Sequence, residues 1–428
     1  MFLIPELTTI IFHYLDDPLS LSHVCRYWRA IVLNNPSLWS HLRLRVRPEW
    51  RHLKSQIIFW FQHAQNIPVS VTIHPAPLHN LLLPTIIVLH TLRPYLDNIS
   101  SLELHHVDHA ILPHLFPPAT TTFMTALTHF SLQHSAQPLH DLQDIGRVYS
   151  PNLRSLRVSD PSPLTRIFVH TIALSRVKIT HCETWDTPSR VSEFLDFCPV
   201  IDNLSITFPR VISRTATVAL PAVTCLVLKW HYPCAPAPLF HTIIAPHLRC
   251  LTLSHTNFLT PFPPDTINSL LFLIDSSSLV SLTFLGCNLD SMCQHLSTFC
   301  HYARALEALT IRDCHGTTDL LSSLLPSDAD RTWPCPKLTS LSLGGLHDAD
   351  LRHVVVFVRE RMAPIQVQDE PTLAYIRSLE LHNKLHDFTP QGRLILLRGL
   401  DIIRSSVSIT GPLADALSPH LLEAPPLK

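Results

Sequence analysis

The amino-acid sequence predicts an α/β protein. A small N-terminal module of three short helices is followed by a curved solenoid, with a parallel sheet on its concave face and helices on its convex face. Three observations carry this expectation. Short amphipathic segments broken by Asp-Pro and Asn-Pro fill the N-terminal stretch. An apolar-x-x-apolar-x-apolar pattern then recurs through most of the chain. Across 428 residues, 46% are apolar and 15% charged, so a large core is covered by a weakly charged surface.

In chain order, Pro5 opens a helical pattern in which Leu7, Ile10, Ile11 and Tyr14 share one face. Asp16-Asp17-Pro18 stops it and starts the next helix, with Asp17 as N-cap and Pro18 at the first helical position. Leu21, Val24, Cys25 and Trp28 repeat the spacing, while Arg26 and Arg29 point away. Asn34-Asn35-Pro36 is a second stop and start, before Leu38 and Trp39. Pieces this small barely bury such large side chains by themselves, so a partner surface is expected.

Residues 1–44 resemble the F-box. Ile4-Pro5-Glu6-Leu7, Ile11-Phe12, Leu15, Val24-Cys25-Arg26-x-Trp28-Arg29-x-Ile31 and Pro36-x-Leu38-Trp39 follow that family's pattern, with Ile4-Pro5 where Leu-Pro is usual. The resemblance implies a module, 1–46, that docks on the Skp adaptor and through it on a cullin–RING ubiquitin ligase. By the same resemblance, Pro5, Ile11, Leu15, Leu21, Val24 and Trp28 lie at or support that contact.

The recurring pattern begins at Ile99, Leu127, Leu153, Leu174, Ile201, Val223, Leu248, Leu279, Leu306, Leu338 and Ile376, a mean period of about 28 residues. Eleven copies at this spacing match a leucine-rich repeat, placed at 99–405. Each L-x-L core reads as a short strand that turns its apolar side chains inward. One copy cannot bury that face, so neighbours stack. Val191, Phe194, Leu195 and Cys198 read as a helical stripe between strands, as do Leu351, Val354, Val355 and Val358. Pro151, Pro199, Pro221, Pro246 and Pro336 stand two residues before the repeat's first apolar position, where they are expected to end a helix and force extended backbone.

Cys182, Cys287 and Cys314 take the turn position eight residues after the first Leu, and Lys384 falls there in the last copy. The cysteine form resembles the repeats found behind F-boxes in fungal, plant and animal proteins. Residues 47–98 are expected to form a helix–strand cap or linker. Its helix carries Trp50, Leu53, Ile57, Trp60, Phe61 and Ala64, and its strand Val69, Val71 and Ile73. Residues 406–428 read as a C-terminal tail.

Composition excludes several function classes. The 8 glycines include none before Gly146 and no pair at phosphate-loop spacing, so a nucleotide-binding loop is not expected. With 37 prolines, turns are expected to rely on Pro, Asn, Asp and Cys more than on glycine. A net charge of −1 gives no footprint for nucleic acid or an anionic membrane. No apolar run approaches a bilayer span, and no basic residue precedes Arg26 as a secretory leader requires. The 11 cysteines include no C-x-x-C, so neither a disulfide framework nor a zinc ribbon is indicated. The cytoplasm or nucleus is the expected location.

Catalytic and metal chemistry find little support. No carboxylate or Cys ligand set accompanies His105-His106-x-x-His109 at useful spacing, and His105 is expected to face solvent and His106 the interior. Cys293, His295, Cys300 and His301 read as packing residues of a helix. No H-E-x-x-H or G-x-S-x-G occurs, so no catalytic residue, cofactor or metal is assigned. The outward strand positions are more informative. Arg157, Arg176, Lys178, Lys229 and Arg312 are candidates to hold an acidic or phosphorylated segment of an unknown protein client, beside the plainer reading of a solvated polar face. The expected function is substrate recognition, as a non-catalytic subunit of an Skp–cullin–F-box ubiquitin ligase. The alternative is a repeat scaffold whose F-box is vestigial.

Overall fold

The computed structural model describes residues 10–12, 17–47, 52–75, 82–107, 109–133, 145–158, 168–169, 174–179, 200–208, 218–230, 243–255, 264–275, 277–290, 303–325, 334–362, 375–383, 387–403 and 407–412. The chain divides into two compact units: Met1–Cys182 with Ser189–Ile201, and Glu183–Pro188 with Asp202–Lys428.

In the first unit, residues 10–12 are helical, followed by α1 (Pro18–Ser22), α2 (Arg26–Leu33) and a 3-10 turn at Pro36–Trp39. The chain then enters β1 (His41–Val46), α3 (Leu53–Ala64), β2 (Val69–Pro75), α4 (Leu82–Leu92) and β3 (Ile99–His105). Short strands follow: β4 (Thr121–Phe123), β5 (His129–Gln133), β6 (Arg147–Tyr149), β7 (Ser155–Val158), β8 (Phe168–Val169) and β9 (Arg176–Ile179). The main sheet runs β1-β2-β3-β5-β7-β9, and β4-β6-β8 form a second small sheet. Neighbours in both pair in parallel.

Period-2 alternation builds the core. Leu42, Leu44, Val71, Ile73, Leu102, Leu104, Phe130, Leu132, Leu156 and Val158 are all buried, while their chain neighbours point the other way. Each such aliphatic side chain stabilises the stack by about 1.5–3 kcal/mol. The sheet begins earlier than sequence reasoning places it. His41–Val46, assigned to the helical module, is its first strand, and the strand expected in the cap is its second. Segment 47–98 therefore supplies strand and helix to the same stack.

The second unit contains β10 (Asn203–Phe208), β11 (Val218–Ala219), β12 (Cys225–Trp230), β13 (Ile243–Ile244) and β14 (Cys250–His255). It continues with α5 (Pro264–Asp275), β15 (Ser281–Leu285), β16 (Ala308–Arg312), α6 (Thr317–Ser323) and β17 (Ser340–Gly344). Last come α7 (Asp348–Met362), β18 (Ser378–Leu381), α8 (Pro390–Ile403) and β19 (Ser408–Thr410). Its main sheet runs β10-β12-β14-β15-β16-β17-β18-β19, and β11 pairs with β13. The stripe expected on α7 buries Leu351, Val354 and Val358, with Phe357 beside them and Val355 half-buried. The stripe at Val191–Cys198 lies outside the described residues. No described helix is long and apolar enough to cross a membrane.

Two expectations about the connections are corrected. Short strands, not helices, lead into three of the copies: β6 before β7, β11 before β12 and β13 before β14. Pro151, Pro221 and Pro246 consequently do not end helices. Each is the second residue of a β-turn, closed by Leu153 N–H to the Ser150 carbonyl (3.2 Å), Val223 N–H to Leu220 (3.4 Å) and Leu248 N–H to Ala245 (3.1 Å). Proline's ring presets the φ that this position needs. Pro336 sits in the same turn, with Leu338 N–H on the Cys335 carbonyl at 3.1 Å, while Pro199 is outside the described residues.

The second correction concerns the strand exit. The residue directly after β3, β15, β16, β17 and β19 has positive φ in each case: His106 (52°), Gly286 (63°), Asp313 (53°), Gly345 (71°) and Gly411 (102°). Glycine is therefore rare but concentrated where a left-handed residue is needed. At Gly286 a Cβ would stand 2.4 Å from the His255 carbonyl oxygen, so the neighbouring repeat excludes any side chain. The same turn corrects His106. The strand ends at His105, and His106 is exposed rather than interior.

After this turn comes the consensus polar position. The Cys287 Sγ donates to the carbonyls of Leu285 (3.4 Å) and, on the preceding strand, Leu253 (3.6 Å). Its own N–H donates to the Cys314 sulfur at 3.4 Å. Burial, with the Cys314 contact added to it, pushes the Cys287 thiol well above its ordinary pKa. In the last copy the role falls to Asn383, one residue before Lys384. Asn383 is buried and exchanges two 3.1 Å hydrogen bonds with the Leu346 backbone. Cys182 lies outside the described residues.

Candidate functional site

Two surfaces of the first unit bring candidate residues together. At the first, Asp17 caps α1, its carboxylate accepting from Leu19 N–H at 3.1 Å, and Pro18 takes the first helical position. The chain then breaks at His23–Cys25. Cys25 has extended backbone, and its sulfur accepts from Trp28 N–H at 3.4 Å to start α2. Leu21, Val24, Cys25 and Trp28 are thus not one helical face, because α1 has ended before Val24. The Arg29 guanidinium crosses the break to the Ser22 carbonyl at 2.8 Å and fixes the angle between the helices.

This geometry separates supporting from presented side chains. Phe12 is 1% exposed and meets the edge of Trp28, which is half-buried, at 4.9 Å; Leu21 is also buried. Ile11 and Val24 remain 45% and 60% exposed, and Ile10, which sequence reasoning does not assign to the contact, is 55% exposed. Three large aliphatic side chains held in water across so short a segment favour association. Pro5 and Leu15 lie outside the described residues.

The helices pass into the sheet without a linker. Fully buried Trp39 donates from its indole nitrogen to the Val32 carbonyl (2.9 Å), and the Trp60 indole donates to the Trp39 carbonyl (2.6 Å). The two rings meet edge to face at 5.0 Å. Only Ser40 separates Trp39 from β1, so the helices are tied to the sheet by shared core.

The second surface is the outward face of the six main-sheet strands of the first unit. One register row reads Arg43, Thr72, Glu103, Ser131, Arg157 and Lys178. Arg176 stands opposite Ser155, and Arg45 opposite His74. Three of the expected cations, Arg157, Arg176 and Lys178, therefore do come together on β7 and β9. Arg43 and Arg45 join the same face from β1. The His41–Val46 stretch carries the strand signal that identifies them, with exposed His41, Arg43 and Arg45 alternating with buried Leu42, Leu44 and Val46.

Between these cations, Glu103 lies 3.3 Å from His105 and 3.6 Å from His129. His105 stacks on His74 at 4.1 Å. With its amide oriented to satisfy both neighbours, Gln133 donates to His105 Nδ1 (3.0 Å) and accepts from Arg157 Nε (3.2 Å). Burial first, then the charges of His105 and Arg45, hold His74 below the usual imidazole range. Burial also lowers His129, against the pull of Glu103. His74 and His129 therefore add little to the positive charge that Arg and Lys give this face.

The remaining two candidates belong to the second unit. Lys229, on β12, stands between Thr207 and Ser254. Arg312 is engaged locally: its guanidinium is 2.6 Å from His382 Nε2, 3.4 Å from Ser342 Oγ and 3.7 Å from the Glu380 carboxylate. Burial works against the charge on Glu380. Hydrogen bonds from His382 and Ser342, with Arg312 nearby, overcome it and hold the carboxyl below the usual range. Among the described residues, no three His, Cys, Asp or Glu side chains are grouped to hold a metal ion. The Cys293–His301 stretch lies outside them.

The F-box-like family model matches residues 5–45, which cover α1, α2, the Pro36–Trp39 turn and most of β1. No curated protein matches the chain. The chain thus carries an F-box-like domain followed by repeat-like parallel sheet.

Proposed function

We propose that this chain is the substrate-recognition subunit of an Skp–cullin–F-box ubiquitin ligase, its N-terminal helices holding the Skp adaptor and its leucine-rich repeats holding a protein client. The observation that carries this reading is the exposed Ile10, Ile11 and Val24 within the matched F-box-like residues. The protein contributes proximity rather than bond chemistry. Holding a client near a ubiquitin-loaded enzyme makes the transfer effectively intramolecular. The Trp39–Trp60 junction supports this role, because a rigid join keeps the client at a set distance from the adaptor. The subunit needs neither cofactor nor metal and works in the cytoplasm or nucleus.

Co-expression with the Skp adaptor tests the proposal. The wild-type chain co-purifies with the adaptor, and Ile11→Asp with Val24→Asp abolishes the association while leaving the circular dichroism spectrum unchanged. A wild-type chain that never retains the adaptor overturns the ligase role and leaves the repeat-scaffold alternative.

A further inference from the structure

The outward face of the first unit has an uneven charge pattern. Arg43 and Arg45 stand on β1, at one edge of its sheet. Arg157, Arg176 and Lys178 stand on β7 and β9, four and five strands away from β1. Between them the outward positions hold Ser70, Thr72, Ser101, Ser131, Gln133 and histidines, with Glu103 as the one carboxylate among the described residues of those strands. The whole chain carries a net charge of −1, so this concentration of cations is local and invisible in the total.

Strand spacing converts the pattern into a length. Adjacent strands lie about 4.8 Å apart, so Arg43 and Arg157, four strands apart in one row, are separated by roughly 19 Å. An extended polypeptide covers that distance in about six residues. A nucleic acid strand carries a phosphate at every nucleotide and would set one against Glu103. A polypeptide can instead place neutral residues there.

We propose that this face docks an extended, Asp/Glu-rich segment of a partner protein, with two acidic clusters about six residues apart. One cluster meets Arg43 and Arg45, and the other meets Arg157, Arg176 and Lys178. The proposal deepens the receptor reading by naming the chemistry of the client segment, and peptide binding is measured without the adaptor. Arginine supplies bidentate contacts to carboxylates at both ends, and neutral Thr72 and Gln133 lie along the middle.

The test uses the full chain and a fluorescent peptide of three Asp, six Gly/Ser and three Glu residues. Comparison probes are a peptide of equal composition with its acids contiguous, an Asn/Gln version, and a single-stranded oligonucleotide of equal charge. The split peptide binds most tightly and weakens as salt rises. Arg43→Glu with Arg45→Glu, and Arg157→Glu with Lys178→Glu, each reduce its affinity at least tenfold, while Arg352→Glu, at an exposed position of α7, leaves it unchanged. If either reversal prevents folding, Arg43→Gln with Arg45→Gln or Arg157→Gln with Lys178→Gln reduces affinity about threefold.

Unchanged affinity in either folded pair overturns the proposal. So does equal binding of the contiguous peptide, which requires one cluster, or of the oligonucleotide, which makes the face a nucleic-acid surface. Adaptor co-purification is recorded on the same preparations, so a failed receptor reading and a failed peptide reading are distinguishable.

Discussion

On β1, β7 and β9 of the first unit, the outward positions include Arg43, Arg45, Arg157, Arg176 and Lys178. At equivalent positions on β12, β14 and β15, the second unit has Cys225, Val227, Cys250, Thr252, Ser281 and Thr283, with Lys229 as the one cation among the outward positions of those three strands. Its Arg312 is engaged by Glu380, Ser342 and His382. Both units bury the same alternate aliphatic positions, so the fold places little demand on what faces outward. That freedom lets one repeat architecture carry a cationic surface in one unit and a largely neutral one in the other.

The largest perturbation that separates the units is loss of the junction. Trp39→Ala removes a fully buried ring and its hydrogen bond to the Val32 carbonyl, and costs the first unit about 3–5 kcal/mol. Amide exchange in β1–β5 accelerates while exchange in β15–β18 stays unchanged. Acceleration of both would merge the units into one cooperative block. Gly286→Ala is the counterpart in the second unit. A positive φ of 63° and a Cβ 2.4 Å from the His255 carbonyl predict a loss of about 1–3 kcal/mol, read as a lower denaturation midpoint.

Asp313 occupies the same exit position with φ 53°, so Asp313→Gly relieves the strain and stabilises by up to about 1 kcal/mol. Opposite signs for these two changes, in the same denaturant titration, establish that the turn itself selects glycine. The smallest effect is electrostatic. The Glu380 carboxyl is held below its ordinary range, so its contribution is present above the unfolded pKa and is lost as pH falls through the folded one. Glu380→Gln removes that dependence, and the midpoint difference from wild type shrinks as pH is lowered from 7 to about 3. The same variant leaves Arg312 without its carboxylate and gives the second unit a weak affinity for the acidic peptide. No gain in affinity would separate Glu380 from the neutrality of that face.

Much of this arrangement is legible from residues alone. The caps at Asp17 and Pro18 and the buried alternation at Leu102/Leu104 follow from local chemistry and period. Cys287 is placed by its repeat position, and its hydrogen bond to the preceding strand matches that placement. The break before Cys25 is harder to read, because an i, i+3, i+4, i+7 pattern continues across a cap that only the backbone reveals. Strand β1 escapes for a different reason. Its alternation is clear, but it falls inside a segment whose resemblance points to helices. The prolines are recognisable as punctuation, yet turn and helix stop use the same preset φ.

The N-terminal helical module and the inward aliphatic ladder are determined by the sequence itself, since both depend on residues within a few positions of one another. The neighbours of each outward side chain are decided only by the tertiary structure. Parallel pairing joins strands across connections of many residues, so one register row places Arg43 in line with Arg157, and two adjacent rows set Arg312 diagonally beside Glu380. Burial energy specifies which face is inward. Register then specifies which charges meet, and that requires the stacked fold.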